Sequence, residues 1–546
     1  MSVFIGYPSF MAYQMMKGKK DNNDGFPSIT GTIARYSALG LTNEQMATNP
    51  VWVDKTGHDL QLKNFAWKGM SGIGGYVADI DEWGTNSTAA YFERNSIKIT
   101  ATFKENASLG LLYHNIKLRQ SCVLKVTGIP EGCDAFLDDR LGNRFYMSED
   151  GVYEIIPSNF LAEALYLSIE KYPERWYGSK LTIEQLPLYP GALVFDGVDD
   201  YGTCNNFPIL TKEKGYTVVA LRQWDQDFLN TTLTGGLLST RNYSTGEGIA
   251  FEKIESSNKG YWNLGAGGII DFAKSPFTWQ TSKQYNNVGI LKGDKNHGKP
   301  LCVGCGLSGG QQCGRFAIWE LVFLDHDATE EELTKIKDYF VKTYPWLFPD
   351  QAWTVVGKTN EDEDRATIAN ITGNGNDLIL SNFGFAEGSG YNEEGEYAGY
   401  LVTDGVDDKI VSSVFGMGKD FTIVGDWKFI DNKKSGTGLV KGSSFYIYNT
   451  MTGLDLYINS GSVTNRFDGI KSINAACSDG RVYDPNWNEI LANTGNVVGS
   501  GGTLEVSSSG GRFDRIAFKN FAIYPRILSK DDCIKAYNYL QTLKAK

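Results

Sequence analysis

The sequence predicts an all-β protein in which one sandwich-type domain is written twice, the first copy being split by an inserted β-sandwich. Three observations predict it. The 546 residues include 62 glycines and 13% aromatics, the mixture of turn-forming and pleated-surface residues that all-β domains use. The phrase "VFDGVDDYG" (Val194 to Gly202) returns as "VTDGVDDKI" (Val402 to Ile410). Markers flanking that phrase keep their order but not their spacing, which locates a domain-sized insertion in one copy.

The chain divides as follows. Residues 1–35 stand outside the repeat, and "MSVFIGYPSFMAYQMM" carries apolar and aromatic surface that so short a segment cannot bury alone. It is expected to attach to a partner or to pack on the chain's own domains. The first copy takes residues 36–80 and 190–348, and the second takes 349–546. "GLTNEQMATNPVWVDKTGHDLQLKNFAW" from Gly40 aligns with "GKTNEDEDRATIANITGNGNDLILSNFGF" from Gly357. Gly40 then pairs with Gly357, Asn43 with Asn360, Asp59 with Asp377, and Asn64-Phe65 with Asn382-Phe383. Further on, "GYTVVALRQW" from Gly215 matches "DFTIVGDWKF" from Asp420, and "RFAIWELVFLDHDATEEEL" from Arg315 matches "RIAFKNFAIYPRILSKDDC" from Arg515.

Asp59 and Asp377 lie 318 positions apart, whereas Asp196 and Asp404 lie 208 apart, which leaves 110 residues of extra chain in the first copy. That is one domain's length. The insertion, residues 81–189, reads as strands at "SIKITATFK", "CVLKVTGIP", "GVYEIIP", "LYLSIEK" and "KLTIEQLP", by alternation, β-branched content and turn residues. Each copy ends in a helix. Thr329 to Glu332 and Ser529 to Asp532 have the spacing of an N-cap with an acid three places on. Leu333, Ile336, Tyr339 and Phe340, and then Ile534, Tyr537 and Leu540, follow at helical spacing for packing.

Composition removes several function classes. A formal net charge of −12 repels phosphate backbones, so no nucleic-acid partner is expected. No run approaches the roughly 18 apolar residues of a membrane helix, and the start has no basic segment ahead of its apolar run. Folding in a cytoplasm, without membrane insertion, is expected. Eight cysteines in 546 residues do not read as a disulfide framework.

The two "DGVDD" phrases, each followed by a "GYTVV" or "DFTIV" strand and closed by "FLDHDATEEEL" or "IYPRILSKDD", resemble the concanavalin A-like lectin/glucanase superfamily, and within it the laminin-G-like jelly rolls. "NITGNGNDL" at Asn370 and "VDKTGHDL" at Val53 strengthen the likeness. The whole arrangement is similar to virion and adhesion proteins of tailed phages that infect gut Bacteroidales. The resemblance implies two tandem jelly rolls. It also implies a virion structural protein of head-fibre, tail-fibre or decoration type, held to capsid or tail proteins through residues 1–35. Such a protein would assemble in the host cytoplasm as a homotrimer and present surfaces for glycans. A bacterial surface polysaccharide-binding protein and a glucanase-like hydrolase are the alternatives.

Several residue groups compete for a chemical role. Asp199, Asp200, Asp407 and Asp408 could supply oxygens to calcium, the one cofactor the pattern admits, but two acids per copy fall short of the six or more oxygens calcium takes. The stronger reading is a turn, with Gly at an unusual φ and Asp bonding nearby amides. Hydrolysis would need carboxylates on one strand face. "ADIDEW" (Asp79, Asp81, Glu82) lacks the further glutamate, and "YNEEGEY" (Glu393, Glu394, Glu396) sits in a Gly-rich loop, so no catalytic residues are assigned. His297, Cys302, Cys305 and Cys313 lie close in sequence without the spacing of a common zinc module, and small buried cysteines are the simpler reading. For sugar stacking the candidates are Tyr261, Trp262 and Trp427, weighed against a place in the core.

Overall fold

The computed structural model describes residues 24–545 apart from short interruptions, the longest being 241–248, 282–299 and 492–503. It is all-β, with antiparallel sheets stacked as sandwiches and a few helices. In the first copy one sheet runs Gly72–Ile73, Leu193–Asp196, Arg315–Leu324, Thr217–Trp224, Phe277–Thr281, with Thr32–Ser37 beside Arg315–Leu324. In the second copy the order is Gly390–Asn392, Tyr400–Val402, Arg515–Tyr524, Thr422–Asp431, Ala475–Cys477, with Gln351–Thr354 beside Arg515–Tyr524. The facing sheets match as well. Leu60–Lys63, Tyr201–Cys204, Leu301–Val303 and Gly235–Ser239 follow one another in the first, as Leu378–Ser381, Lys409–Ser412, Glu505–Val506 and Thr437–Lys441 do in the second. Two sheets with the same strand order are one fold repeated.

Patterning explains which strands lie where. Leu60–Lys63 and Leu378–Ser381 alternate buried and exposed positions, as strands with one solvated face must. Arg315–Leu324 is buried at nine of its ten positions, because the sandwich core covers one face and helix Glu330–Thr343 packs over the other. That helix opens with a full capping box between Thr329 and Glu332, and it buries Leu333, Ile336, Tyr339 and Phe340. Ser529 caps helix Lys530–Gln541 with one half of that arrangement, its hydroxyl accepting from the Asp532 amide. Among the described residues no helix is long and apolar enough to cross a membrane.

Ten strands between Gly84 and Gln185 form a separate pair of five-stranded sheets around a core that includes Trp83, Phe103, Tyr113 and Trp176. All five stretches read as strands in the insertion are strands here. The inserted sandwich is not a loose appendage. Val123 and Val152 from it join Trp319 and Val322 of the first copy and Trp487 and Tyr524 of the second in one apolar cluster, which the two helices complete.

The N-terminal boundary needs correction. Thr32–Ser37 is a strand of the first copy, paired with Arg315–Leu324, just as Gln351–Thr354 pairs in the second. Arg35 is buried, bonds Glu320 at 3.2 Å and the Tyr339 hydroxyl at 2.8 Å, and meets Asp24 at 2.6 Å. Its guanidinium lies 4.1 Å from the Phe26 ring centre. A buried charge this fully partnered is part of a core, so the stretch from Asp24 onward belongs to the first copy; residues 1–23 lie outside the described ones.

Candidate functional site

Both copies build the same junction where two loops meet at one end of the sandwich. Strand Leu193–Asp196 runs into the turn Asp196 to Asp200, with Gly197 at φ 77°, and the second copy repeats it with Gly405 at φ 72°. That left-handed backbone explains the glycine. Asp196 Oδ1 accepts the amides of Val198 (2.7 Å) and Asp199 (3.4 Å); Asp404 Oδ1 accepts those of Val406 (2.7 Å) and Asp407 (3.3 Å).

The last aspartate of each phrase is buried and ties the two loops. Asp200 Oδ2 accepts the Asp196 amide at 3.0 Å, and its Oδ1 accepts the Ser71 hydroxyl at 2.9 Å. Ser71 Oγ in turn accepts the Ala66 amide. Asp408 does the same with the Asp404 amide (2.7 Å) and Ser389 (3.1 Å), whose Oγ accepts the Gly384 amide. Burial pushes the Asp200 carboxyl up to about 7, and the neighbouring charge of Asp196 adds to it. Burial likewise lifts Asp408 to about 6. The penultimate aspartates face outward, and their carbonyls accept from Asn64 and Asn382 at 3.0 Å.

In each copy three carboxylates approach closely, Asp196 with Asp199 and Asp200, and Asp404 with Asp407 and Asp408. Of the six oxygens in each trio, both of the buried member and Oδ1 of the first aspartate already accept hydrogen bonds from the protein, which leaves three against the six to eight of a calcium cage. The donor set fits the turn better than the ion.

The loops tied by these bonds carry an aromatic signal that the sequence reading passed over. Trp67 has φ 56° and its counterpart Phe385 has φ 48°, a left-handed conformation that bulky side chains seldom adopt. Asn64 and Asn382 precede them, both at φ 68°. Trp67 stacks on Phe65 with ring centres 4.8 Å apart and planes 18° apart, while Phe385 lies 5.9 Å from Phe383 with the Arg365 guanidinium 5.1 Å from its ring. Both rings are half-buried. The same tied loops carry exposed Asn64 and Asp199, or Asn382 and Asp407, and the turn-tip valines Val198 (73% exposed) and Val406 (67%). A half-buried ring on loops that also carry an exposed carboxylate and amide can stack on an apolar ring face while those groups bond hydroxyls. The sequence signal was present, as "NFAW" against "NFGF" in register, but the left-handed backbone was not.

The residues first considered for sugar stacking do not assemble here. Trp427 is 3% exposed within the second copy's core, where no ligand ring can reach its face; this corrects that expectation. Tyr261 and Trp262 lie on strand Lys259–Trp262, and their side chains are outside the described ones. Ile80–Glu82 forms a 3-10 turn rather than a strand, so Asp81 and Glu82 are not set on a strand face, and Asp79 lies outside the described residues. Glu393 and Glu394 are exposed in a loop, with Glu396 outside the described residues. Cys302 and Cys305 are joined in a disulfide, and Cys313 stands opposite Cys305 on the next strand. All three are buried, as the simpler reading expected, two of the sulfurs weighed for zinc are bonded to each other, and His297 lies outside the described residues.

No protein-family model matches the chain, and no curated protein does. Among solved structures it is similar to a Trypanosoma rangeli sialidase in complex with sialic acid, at 9% identity and a TM-score of 0.25, covering 83% of each chain. It is also similar to the botulinum neurotoxin serotype D binding domain, at 11% identity and a TM-score of 0.24, covering 63% of this chain and 89% of that one. Superpositions this loose establish neither a shared family nor a shared ligand.

Proposed function

We propose that the chain is a non-catalytic, glycan-binding structural protein of a phage particle, with one binding surface on each concanavalin A-like jelly roll. The observation that carries the glycan reading is the duplicated loop junction. Trp67 and Phe385 hold the same left-handed backbone on loops that carry the same exposed pair, Asn64 bonded to the Asp199 carbonyl in one copy and Asn382 to the Asp407 carbonyl in the other. Holding a bulky residue there costs on the order of 1–2 kcal/mol, and a ring kept half-open at that cost is suited to stacking on a sugar.

Two such surfaces per chain, and more in an oligomer, would turn weak contacts into avidity on repeating surface glycans. The particle assignment rests on the resemblance of the sequence. It places the N-terminal segment, read from the sequence as residues 1–35, against capsid or tail proteins, and it expects a homotrimer, as fibres commonly are. Light scattering on the full chain should then give three times the 60.4 kDa subunit mass.

A glycan array tests the binding reading. The wild-type chain should retain a subset of surface polysaccharides. Trp67→Ala or Phe385→Ala alone should lose the multivalent gain, about 100-fold, and the double variant should lose retention altogether. An array on which the double variant binds like the wild type would sink the assignment.

A further inference from the structure

We infer a self-modification site in the second copy: an amide cross-link between Lys519 Nζ and the side-chain carboxyl of Asp426, formed with Glu154 of the inserted sandwich as the base. Lys519 stands on strand Arg515–Tyr524 and Asp426 on the neighbouring strand Thr422–Asp431. Asp426 is opposite Asn520 and Trp427 is opposite Phe518, so Lys519 is the extra residue of a bulge. Bulges re-aim side chains, and here Lys519 Nζ lies 3.6 Å from Asp426 Oδ2 and 3.1 Å from Glu154 Oε1. The three side chains, in the order Lys519, Asp426 and Glu154, are 13%, 4% and 12% exposed.

The first copy supplies the comparison. Its bulge has the same place, with Leu221 opposite Glu320, Arg222 opposite Ile318, and Trp319 between. The register of the repeat puts Leu221 where Asp426 stands and Trp319 where Lys519 stands, and both are fully buried. An apolar pair therefore satisfies this fold at this position. Burying an amine with two carboxylates instead carries a desolvation cost that packing does not require, so the second copy's trio is explained by chemistry and not by packing.

Each member has a role that amide formation needs. Burial lifts the Asp426 carboxyl and the charge of Glu154 lifts it further, which makes Asp426 the protonated, electrophilic partner. Burial would lift Glu154 too, but the charges of Lys519 and Lys428 outweigh it and keep Glu154 ionised, fit to take a proton. Lys519 passes a proton to Glu154, and the free amine attacks Asp426 Cγ. The Tyr400 hydroxyl, 2.9 Å from each Asp426 oxygen, donates to the one on which charge collects. The Tyr537 hydroxyl holds Glu154 from its other oxygen at 2.9 Å. As the C–N bond forms, the bond from Cγ to the carboxyl hydroxyl breaks. Of the two protons the nitrogen loses, Glu154 keeps one and relays the other to that hydroxyl, which leaves as water. Amine and acid are already held together, so the encounter that condensation otherwise needs has been made by the fold.

Intact mass spectrometry of the full chain tests this. The wild type should weigh one water less than its sequence, and digestion should release a peptide pair joined through Lys519 and Asp426. Lys519→Arg keeps the charge but not the nucleophile, and Glu154→Gln removes the base; both should return to the full mass. Three results would overturn the proposal: a wild type at full mass, a water loss that persists in either variant, or a joined pair that maps to other residues. Persistence in Lys519→Arg would place the loss elsewhere, as in a cyclised Asp-Gly turn. None of these readings involves glycan retention, so this proposal and the preceding one fail separately.

Discussion

At the scale of single residues, the buried aspartates set how the molecule responds to pH. Asp200 is lifted to about 7 and Asp408 to about 6, from 3.8 when unfolded, chiefly by burial. The native carboxyl therefore keeps a proton that the unfolded chain has already released. The stability gained from that proton is full below the unfolded value and is lost as pH rises through about 6 to 7. Wild-type melting temperature should accordingly fall between about pH 5 and about pH 8. In Asp200→Asn that fall should be shallower, because one of the two groups no longer titrates. The variant should also be less stable throughout by about 1–3 kcal/mol, since its amide keeps only one oxygen for the two donors, the Asp196 N–H and the Ser71 hydroxyl. An equal slope in both proteins would show that Asp200 is not the group responsible. The same geometry bears on calcium: with the oxygens of Asp200 and Asp408 committed to Ser71, Ser389 and backbone amides, added calcium should leave the melting temperature unchanged. A rise of several degrees would reveal an ion that the turn had concealed.

At the scale of elements, the repeat was legible because its markers are structural fasteners. Asn43 bonds the Ile73 amide (2.7 Å) and carbonyl (3.2 Å), and Asn360 bonds those of Tyr391 at 2.8 Å each. Asp59 and Asp377 accept the amides of Asp54 and Asn370. The helices were legible from their caps for the same reason, and Thr329→Ala should cost about 1 kcal/mol in urea unfolding. Gly72 is the harsher test. Its φ is 140°, and a methyl there would come within 2.5 Å of Asn43 Oδ1 and 3.0 Å of the Trp67 Cα. Gly72→Ala should therefore lose about 1–3 kcal/mol and, if the loop presents Trp67, should weaken glycan retention with it. Other elements were hidden. Thr32–Ser37 precedes every repeat marker and is too short and mixed to read as a strand. Asp134–Asp138 is bracketed by acids that disguise its apolar middle. Trp427 could not be told from an exposed aromatic because its strand is buried on both faces, so no alternation marks which side chains reach solvent. The turn at Trp67 was invisible because no residue type encodes a left-handed aromatic.

At the scale of the whole molecule, a buried polar knot joins the insertion to the second copy. Glu154, on strand Gly151–Ile155 of the inserted sandwich, accepts from Lys519 at 3.1 Å and from the Tyr537 hydroxyl at 2.9 Å. Asp426 lies 3.6 Å from the same Lys519 nitrogen and accepts the Tyr400 hydroxyl at 2.9 Å. Burial alone would strip the proton from Lys519, but Glu154 and Asp426 outweigh it and hold the amine charged. Burial lifts Asp426, and the charge of Glu154 lifts it further. One lysine thus holds together two carboxylates from different domains. Removing Lys519 leaves Glu154 and Asp426 buried together without their shared cation, so Lys519→Met should cost about 3–5 kcal/mol in urea unfolding, whereas Glu154→Leu leaves Lys519 its Asp426 partner and should cost less. The double variant Glu154→Leu/Lys519→Met replaces the pair by apolar groups of similar size, and such exchanges are often close to neutral. It should therefore recover much of the loss, with a coupling energy of about 2 kcal/mol or more between the two sites. Strictly additive losses would mean that the insertion is held by the shared apolar cluster around Val123, Val152 and Trp487 and that the ion pair adds nothing. Recovery would mean that the knot, and not the apolar cluster alone, fixes how the insertion docks.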